Sequence, residues 1–479
     1  MNDRDITVTL LHTNDIHSHF DAASRIAAYV ADVRRSVGAE RLLLLDCGDF
    51  LDRVSLETEG TQGFVNRELL EQIGYDAVLI GNNEGLTYTS EQLDALYDNF
   101  GIPVVCANMI RQLTGQPPSW MIPTWTTEKS GLRIGVIGLT AVFNDYYRLL
   151  GWEALEPISI AQARVDELRP NVDVLIVLSH LGLKFDERLA AQVDGIDVIL
   201  GGHTHHLIEK PIEIDGTTIC AAGKFGQYIG HLEITWHHGA DKISVAGGCL
   251  PTDEFARSPD ADRIVAEYCA EARERMNRPI ADLSEPLALR PHEESPLATL
   301  LASAVRRATG TQIGLVNAGQ LLEGLPAGIV TELMIHSLCP SPINPCAIKI
   351  SGKQIVRALE ESLMPEFYEL EIRGFGFRGK VLGTLCVDGI EWLIDETQLP
   401  YHRVAQVIVD GEPLQADRIY DVGTLDMFTF GVGYVGLKEG TDVRYFLPEF
   451  IRDTLASALN DERLVLDCGR PRRRQVRRV

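Results

Sequence analysis

The chain has 479 residues, 45% hydrophobic and 23% charged, with a formal net charge of −24. That length predicts two domains or three, each with a sizeable core. The acidic balance argues against a nucleic acid polymer as the main partner, because phosphate backbones need a basic footprint, but it leaves small anionic substrates open, since bound divalent cations reverse the local field.

The first residues carry no basic-then-apolar leader, and no run approaches the ~18 apolar residues of a membrane span, so no membrane partner is expected. Nine cysteines (Cys47, Cys106, Cys220, Cys249, Cys269, Cys339, Cys346, Cys386, Cys468) are scattered without a CxxC pair. That usage suits a reduced, cytoplasmic chain.

An alternating apolar run, Ile6 to Leu11, reads as a buried strand. The chain then turns polar, and Asp15 and His17 stand two positions apart in LLHTNDIHSHF. At the end of a strand that spacing lets a carboxylate and an imidazole reach one point, as metal ligands do. Asp21 to Gly38 reads as a helix with Ile26, Tyr29, Val30 and Val33 on one face. Arg41 to Leu45 is an apolar strand of the kind buried in a mostly parallel sheet. It ends in Asp46-Cys47-Gly48-Asp49. The glycine lets the backbone turn sharply, which favours Asp49 as the ligand over Asp46, still in the strand, and Asp52, beyond the turn.

The pattern recurs. After a helix over Thr61 to Ile73, a strand over Asp76 to Ile80 ends in Gly81-Asn82-Asn83-Glu84. Strands over Val104 to Asn108 and Arg133 to Leu139 follow. Leu175 to Leu178 ends in Ser179-His180, and Val198 to Leu200 ends in Gly201-Gly202-His203-Thr204-His205-His206. Strands alternating with helices place these termini on one edge, where active sites of open α/β sheets lie. Asp15, His17, Asp49, Asn82, His180, His203 and His205 are therefore predicted to meet.

Seven donors exceed one ion's needs and fit two divalent ions sharing Asp49. One would take Asp15, His17, Asp49 and His205; the other Asp49, Asn82, His180 and His203. Two cations about 3.5–4 Å apart suit attack of a bridging hydroxide on phosphorus. A donor set without thiolate suits Mn²⁺, Zn²⁺ or Fe.

The motifs LHTNDIH, GD, GN, SH and GGHTH, in this order, resemble the calcineurin-like metallophosphoesterases. Within them the chain resembles the two-domain 5′-nucleotidases, a family that includes UDP-sugar hydrolases and cyclic-nucleotide phosphodiesterases. The resemblance covers nearly the whole chain, and the seven assignments carry over position by position. It implies an α/β protein: an N-terminal four-layer α/β/β/α sandwich over residues 1–255, a linker helix over 256–280, and a smaller C-terminal α/β domain over 281–469. That second domain would hold the nucleoside, and its rotation would open and close the site. The arginine-rich end, 470–479, reads as a solvated, disordered tail; contact with an acidic partner is the minor alternative.

Two departures from the family pattern stand out. The family's GNHEFD reads here Gly81-Asn82-Asn83-Glu84-Gly85-Leu86, so both the histidine and the aspartate of its catalytic dyad are replaced. Asn83 can donate a hydrogen bond to a phosphoryl oxygen but cannot supply a proton. His19 is the nearest candidate for a replacement acid. In the second domain the family's N-x-G-G-[IL]-R keeps Asn317, while Gln320 replaces a glycine and Leu322 the arginine. Ile348 to Ile355 matches an architectural strand–helix segment. Phe375 and Phe377 in one glycine-rich stretch, with Phe428, Phe430 and Tyr434 in a second aromatic-rich segment, are candidates for an apolar clamp on a base, and Arg373 and Arg378 beside the first pair are candidates for holding a phosphate or carboxylate.

The expected activity is hydrolysis of a nucleotide or related small phosphate ester. The alternatives are a phosphodiesterase or pyrophosphohydrolase on cyclic or sugar nucleotides, and a metal-dependent ligand sensor without turnover.

Overall fold

A computed structural model describes residues 5–237 and 242–476. Contacts divide the chain into two compact units, Met1–Ala272 and Arg273–Val479. The division falls within one helix, Pro259–Met276, inside the expected linker. No helix among the described residues is long and apolar enough to cross a membrane.

The first unit contains two large sheets. One runs in the order Lys242–Pro251, Tyr228–His237, Ile6–Thr13, Leu42–Asp46, Ala77–Val78, Val104–Val105, Met121–Ile122. Its central pairs are parallel, with Thr9 opposite Leu42 and Leu45 opposite Ala77. The other runs Ile212–Ile214, Thr217–Ala221, Val198–Gly201, Val174–His180, Leu132–Thr140, Thr124–Lys129. Leu42–Asp46 and Val174–His180 are buried at every position, which explains their near-continuous apolar sequence.

The sheets pack on one another. A side chain at Gly138 would collide with the Val105 carbonyl of the facing sheet, 1.9 Å away. The neighbouring Ile137 and Leu139 turn the other way, into a core with Ala161, Val165 and Leu189. Those residues come from helices Pro157–Leu168 and Leu183–Gln192. On the first sheet's side, helix Phe20–Val37 buries Phe20, Ala23, Ile26, Val30 and Val33. Helix, sheet, sheet and helix thus form four layers, with the parallel strands' carboxyl ends free to carry chemistry.

The second unit is built on a five-stranded sheet, Leu385–Asp388, Ile313–Asn317, Ile419–Leu425, Pro345–Ser351, Thr441–Tyr445. Helix Pro296–Thr309 contributes Leu297, Leu300, Leu301 and Val305 to its core. A four-stranded sheet completes it, and here the arginine-rich end departs from expectation. Arg473–Gln475 pairs with Ile390–Ile394 as a parallel strand. The Arg472 side chain is buried against Asp388, 3.1 Å away, and Asp467, while Glu294 accepts its backbone N–H at 2.7 Å. A charge run reads as solvated when its acidic partners lie far away in sequence, as Asp388 and Glu294 do. Residues 477–479 of that tail lie outside the described residues.

Candidate metal centre

Five strand ends of the first unit deliver the predicted donors to one place. After Thr13 the backbone curls through the left-handed region at Asp15 (φ 51°), His17 (48°) and Ser18 (56°). Asp49, His203 and His205 adopt positive φ as well, at 54°, 71° and 57°. Such conformations are uncommon for non-glycine residues and cluster where structure holds a functional geometry under strain. Here the curl is what turns successive side chains toward a common point.

The Asp15 turn is laced to the Asp49 turn by backbone hydrogen bonds: Asp15 N–H to the Gly48 carbonyl, His17 N–H to Asp49, and Ser18 N–H to Phe50, at 2.9–3.0 Å. Glycines permit the close approach. A Cβ on Gly81 would lie 2.1 Å from Asp49 Oδ1, and one on Gly48 would lie 2.5 Å from Gly81 N.

The seven donors form one cluster. His17 Nε2 lies 3.1 Å from His205 Nε2, and Asp15 Oδ1 lies 3.4 Å from His205 Nε2 and 3.7 Å from His17 Nε2. On the other side, His180 Nε2 lies 3.3 Å from Asp49 Oδ2 and 3.1 Å from Asn82 Oδ1, which is 2.6 Å from His203 Nδ1. Asp49 Oδ2 also reaches His17 Nε2 at 3.8 Å. Asp15, His17 and His205, and likewise Asp15, Asp49 and His180, each offer donor atoms within 4.8 Å of one another. Asp15 thus reaches toward both groups, as Asp49 does. Asp15, Asp49, His17 and His180 are buried, while Asn82, His203 and His205 keep partial exposure.

These atoms fit divalent cations. Two imidazole Nε2 atoms 3.1 Å apart cannot both present bare lone pairs to each other; they need a shared proton or a cation beside both. His180 Nδ1 donates to the Cys47 carbonyl at 2.8 Å, which leaves its Nε2 lone pair facing Asp49 and Asn82. Without a cation, protons must carry the positive charge. Burial alone would lower the His180 pKa, but the Asp49 carboxylate overrides it and lifts it to about 10. Asp49 is pushed up by burial and pulled down further by His180, ending below the usual carboxylate range. His203, half-buried and facing His180, is depressed to about 4, by its partial burial first and then by the neighbouring imidazole.

A second ring of residues orients this set. Asn14 donates from Nδ2 to Asp15 Oδ2 and to the Gly223 carbonyl, both at 2.7 Å. Asp52 Oδ2 lies 3.5 Å from His17 Nδ1, a carboxylate beside the ring nitrogen that faces away from the cluster. Linear distance past the turn argues against any part for Asp52; the left-handed backbone at Asp49 folds it back. Asp46 accepts from Thr13 Oγ1 and Gly48 N–H, the structural place expected of it.

Family models for a calcineurin-like phosphoesterase and a 5′-nucleotidase C-terminal domain match residues 8–207 and 279–438. The uncharacterized metallophosphoesterase YunD of Bacillus subtilis is 34% identical over 452 residues, 93% of this chain and 98% of YunD. The chain belongs to this two-domain metallophosphoesterase family. The 5′-nucleotidase precursor of Thermus thermophilus is similar in structure, with a TM-score of 0.60 and 25% identity, covering 99% of this chain and 100% of that one. The NAD nucleotidase of Haemophilus influenzae shares the fold at TM-score 0.69 and 17% identity, over 99% and 98% of the two chains. The protein is thus a hydrolase of the metallophosphoesterase family.

Against that family the replaced dyad takes on a definite geometry. Asn83 N–H donates to Asp49 Oδ1 at 2.7 Å, and its Nδ2 lies 2.8 Å from His17 Nδ1. Asn83 therefore sits beside the donors. His19 sits outside the cluster. Its ring is stacked on Phe225 at 4.0 Å, with Nδ1 directed at the Ile16 and His17 carbonyls. Phe225 escapes sequence reasoning, since an apolar residue in a loop signals no chemistry; the flanking Gly223 and Gly226 are the available hint. Its own φ is 60°, held by an N–H bond to the Asp15 carbonyl at 2.7 Å.

In the second unit the candidate contacts divide. Asn317 is fully buried, bracketed by the Leu382 carbonyl at 2.7 Å and by Gln320 Nε2 at 3.0 Å. Phe377, Phe428 and Tyr434 lie in the core. Phe375 and Phe430 are exposed and stacked, with centroids 6.2 Å apart and planes 24° from parallel. Arg373 is exposed beside Glu371, and Arg378 reaches the Phe377 carbonyl at 3.3 Å. The five-ring clamp thus reduces to two rings, because Phe377, Phe428 and Tyr434 turn inward to pack.

Proposed function

We propose that the protein hydrolyses a nucleotide or a related small phosphate ester at a centre of two divalent metal ions, Mn, Zn or Fe. Asp15, His17, Asp49 and His205 would hold one ion, and Asp49, Asn82, His180 and His203 the other. The observation that carries this reading is the convergence of the seven donors. When bound, the pair supplies Lewis-acid activation of water and neutralises charge on the phosphoryl group. Asp52 and the Asn83 amide both face the Nδ1 side of His17 and fix the ring's direction, and Asn83 would offer its amide to a phosphoryl oxygen. Phe375 and Phe430 would take a base between them after opening to about 7 Å, two van der Waals thicknesses. Nine free cysteines support a reducing, cytoplasmic setting.

A second reading, hydrolysis of a phosphoanhydride or of a diester whose leaving group needs no proton, is favoured by two observations. Asn83 cannot protonate a leaving alcohol, whereas a phosphate departs as an anion. Lys224, half-buried, lies over the Phe225 ring at 4.6 Å, and Phe225 in turn touches His17 and His205. That places a cation beside the donors, suited to a second anionic group.

The test offers metal-loaded protein p-nitrophenyl phosphate, bis-p-nitrophenyl phosphate, nucleoside monophosphates and nucleoside diphosphates. Turnover of the monoesters supports the first reading. Turnover confined to diesters or anhydrides replaces it with the second, and Lys224→Ala would then raise KM for the anhydride.

A further inference from the structure

The three turns that present the first donors are joined in two different ways. The Asp15 and Asp49 turns share three backbone hydrogen bonds. Between the Asp49 turn (48–52) and the Asn82 turn (80–83), no backbone–backbone bond occurs among the described residues. Glu84 spans that gap. Its Oε2 accepts the Gly81 N–H at 2.8 Å and the Asp49 N–H at 3.2 Å, and its Oε1 accepts the Leu51 N–H at 3.0 Å. The side chain is 1% exposed and touches none of the seven donor side chains through these bonds.

We propose that Glu84 is a positioning residue that sets the distance between Asn82 and Asp49, and with it the completeness of the second ion's donor set. One carboxylate satisfies three buried backbone donors, each of which would cost free energy if left unpaired. Glutamine at this position keeps one acceptor oxygen, now neutral and weaker, and turns the other into an NH₂ that meets an N–H group, donor against donor, so the bridge between the turns is weakened. The Asn82 turn is then held less tightly, by the Asn83 N–H bond to Asp49 Oδ1 and a weakened bridge, while the Asp15 turn stays fastened to Asp49 through its own three backbone bonds. The loss falls on the ion held by Asn82, His180 and His203 and spares the ion held by Asp15, His17 and His205. This inference rests on the ligand assignment proposed above.

The experiment titrates metal-free protein with Mn²⁺, following ion number and affinity by calorimetry and the coupling of neighbouring Mn²⁺ ions by electron paramagnetic resonance. Wild-type protein should bind two ions with a spin-coupled signal; a wild type that binds fewer overturns the assignment itself. Given two ions there, Glu84→Gln should keep one at native affinity, weaken the other about 10- to 100-fold, the range for outer-shell partners, and lose the coupled signal, as Asn82→Ala should. Glu84→Asp, which keeps the charge but reaches less far, should give a smaller loss confined to the same ion. Equal weakening of both ions in either variant, or no change in either, would overturn the proposal.

Discussion

Restoring the missing imidazole gives a sharp prediction. In Asn83→His, the backbone N–H bond to Asp49 persists, because it does not depend on the side chain. The new ring starts where the Asn83 amide now lies, 2.8 Å from His17 Nδ1 and beside the donors. General acid catalysis typically supplies ~10²–10⁴ in rate. Leu86 stands where the family's aspartate would orient that ring, so the gain should reach no more than the low end of this range. The expected gain in kcat on an alkyl phosphate monoester is about 10- to 100-fold, or ~1.4–2.7 kcal/mol of barrier. p-Nitrophenyl phosphate, whose leaving group needs no proton, should change by less than about threefold, and Asn83→His with Leu86→Asp should add a further gain on the alkyl ester alone. Steady-state kinetics on the two esters, at matched metal loading, decide the matter. Equal acceleration of both, or a loss on both, would refute the idea that position 83 lacks only a proton.

Other expectations follow from separate parts of the chain. Phe430→Ala removes half of the exposed aromatic pair, and loss of one base-stacking contact, ~1–3 kcal/mol, should raise KM for a nucleotide about 5- to 150-fold while leaving p-nitrophenyl phosphate untouched. His12 is fully buried in the first strand, neither ring nitrogen has a hydrogen-bond partner among the described residues, and burial lowers its pKa from 6.5 to about 4. The unfolded chain therefore binds the extra proton first, and stability falls as pH drops through 6.5 toward 4, with about 2 kcal/mol lost between pH 7 and pH 5. Denaturant unfolding of chelator-treated protein should show His12→Leu losing that much less over this interval; an unchanged pH dependence contradicts it. Arg472→Ala breaks a buried pair, but Asp388 retains Arg306 at 3.0 Å, so the cost should be about 2–3 kcal/mol, below that of an abandoned buried charge. Urea unfolding measures it, and a cost under about 0.5 kcal/mol would mean that the C-terminal strand contributes nothing.

Much of the fold and the donor set is legible because strand ends are punctuated. Leu42–Asp46 and Val174–His180 announce themselves as buried parallel strands, and a ligand-type residue, Asp49, follows the first while another, His180, ends the second. What sequence does not supply is the path of the backbone after the strand. Linear distance argues against Asp52, yet the positive φ at Asp49 returns it to His17. Glu84 looks like the remainder of a motif, although its carboxylate ties two turns together. In the second unit, aromatic content marks the right loops but not which rings face outward, since these short loops follow neither strand nor helix periodicity. Arg472 shows the same limit for charge: its partners are tertiary.

The most direct measurement of the central claim is anomalous diffraction from crystals of Mn²⁺-loaded protein. Two peaks should appear among the seven donors, on either side of the Asp49 carboxylate, and both should vanish in Asp49→Ala. A single peak in the wild type, or two that persist in Asp49→Ala, would contradict the shared-carboxylate centre.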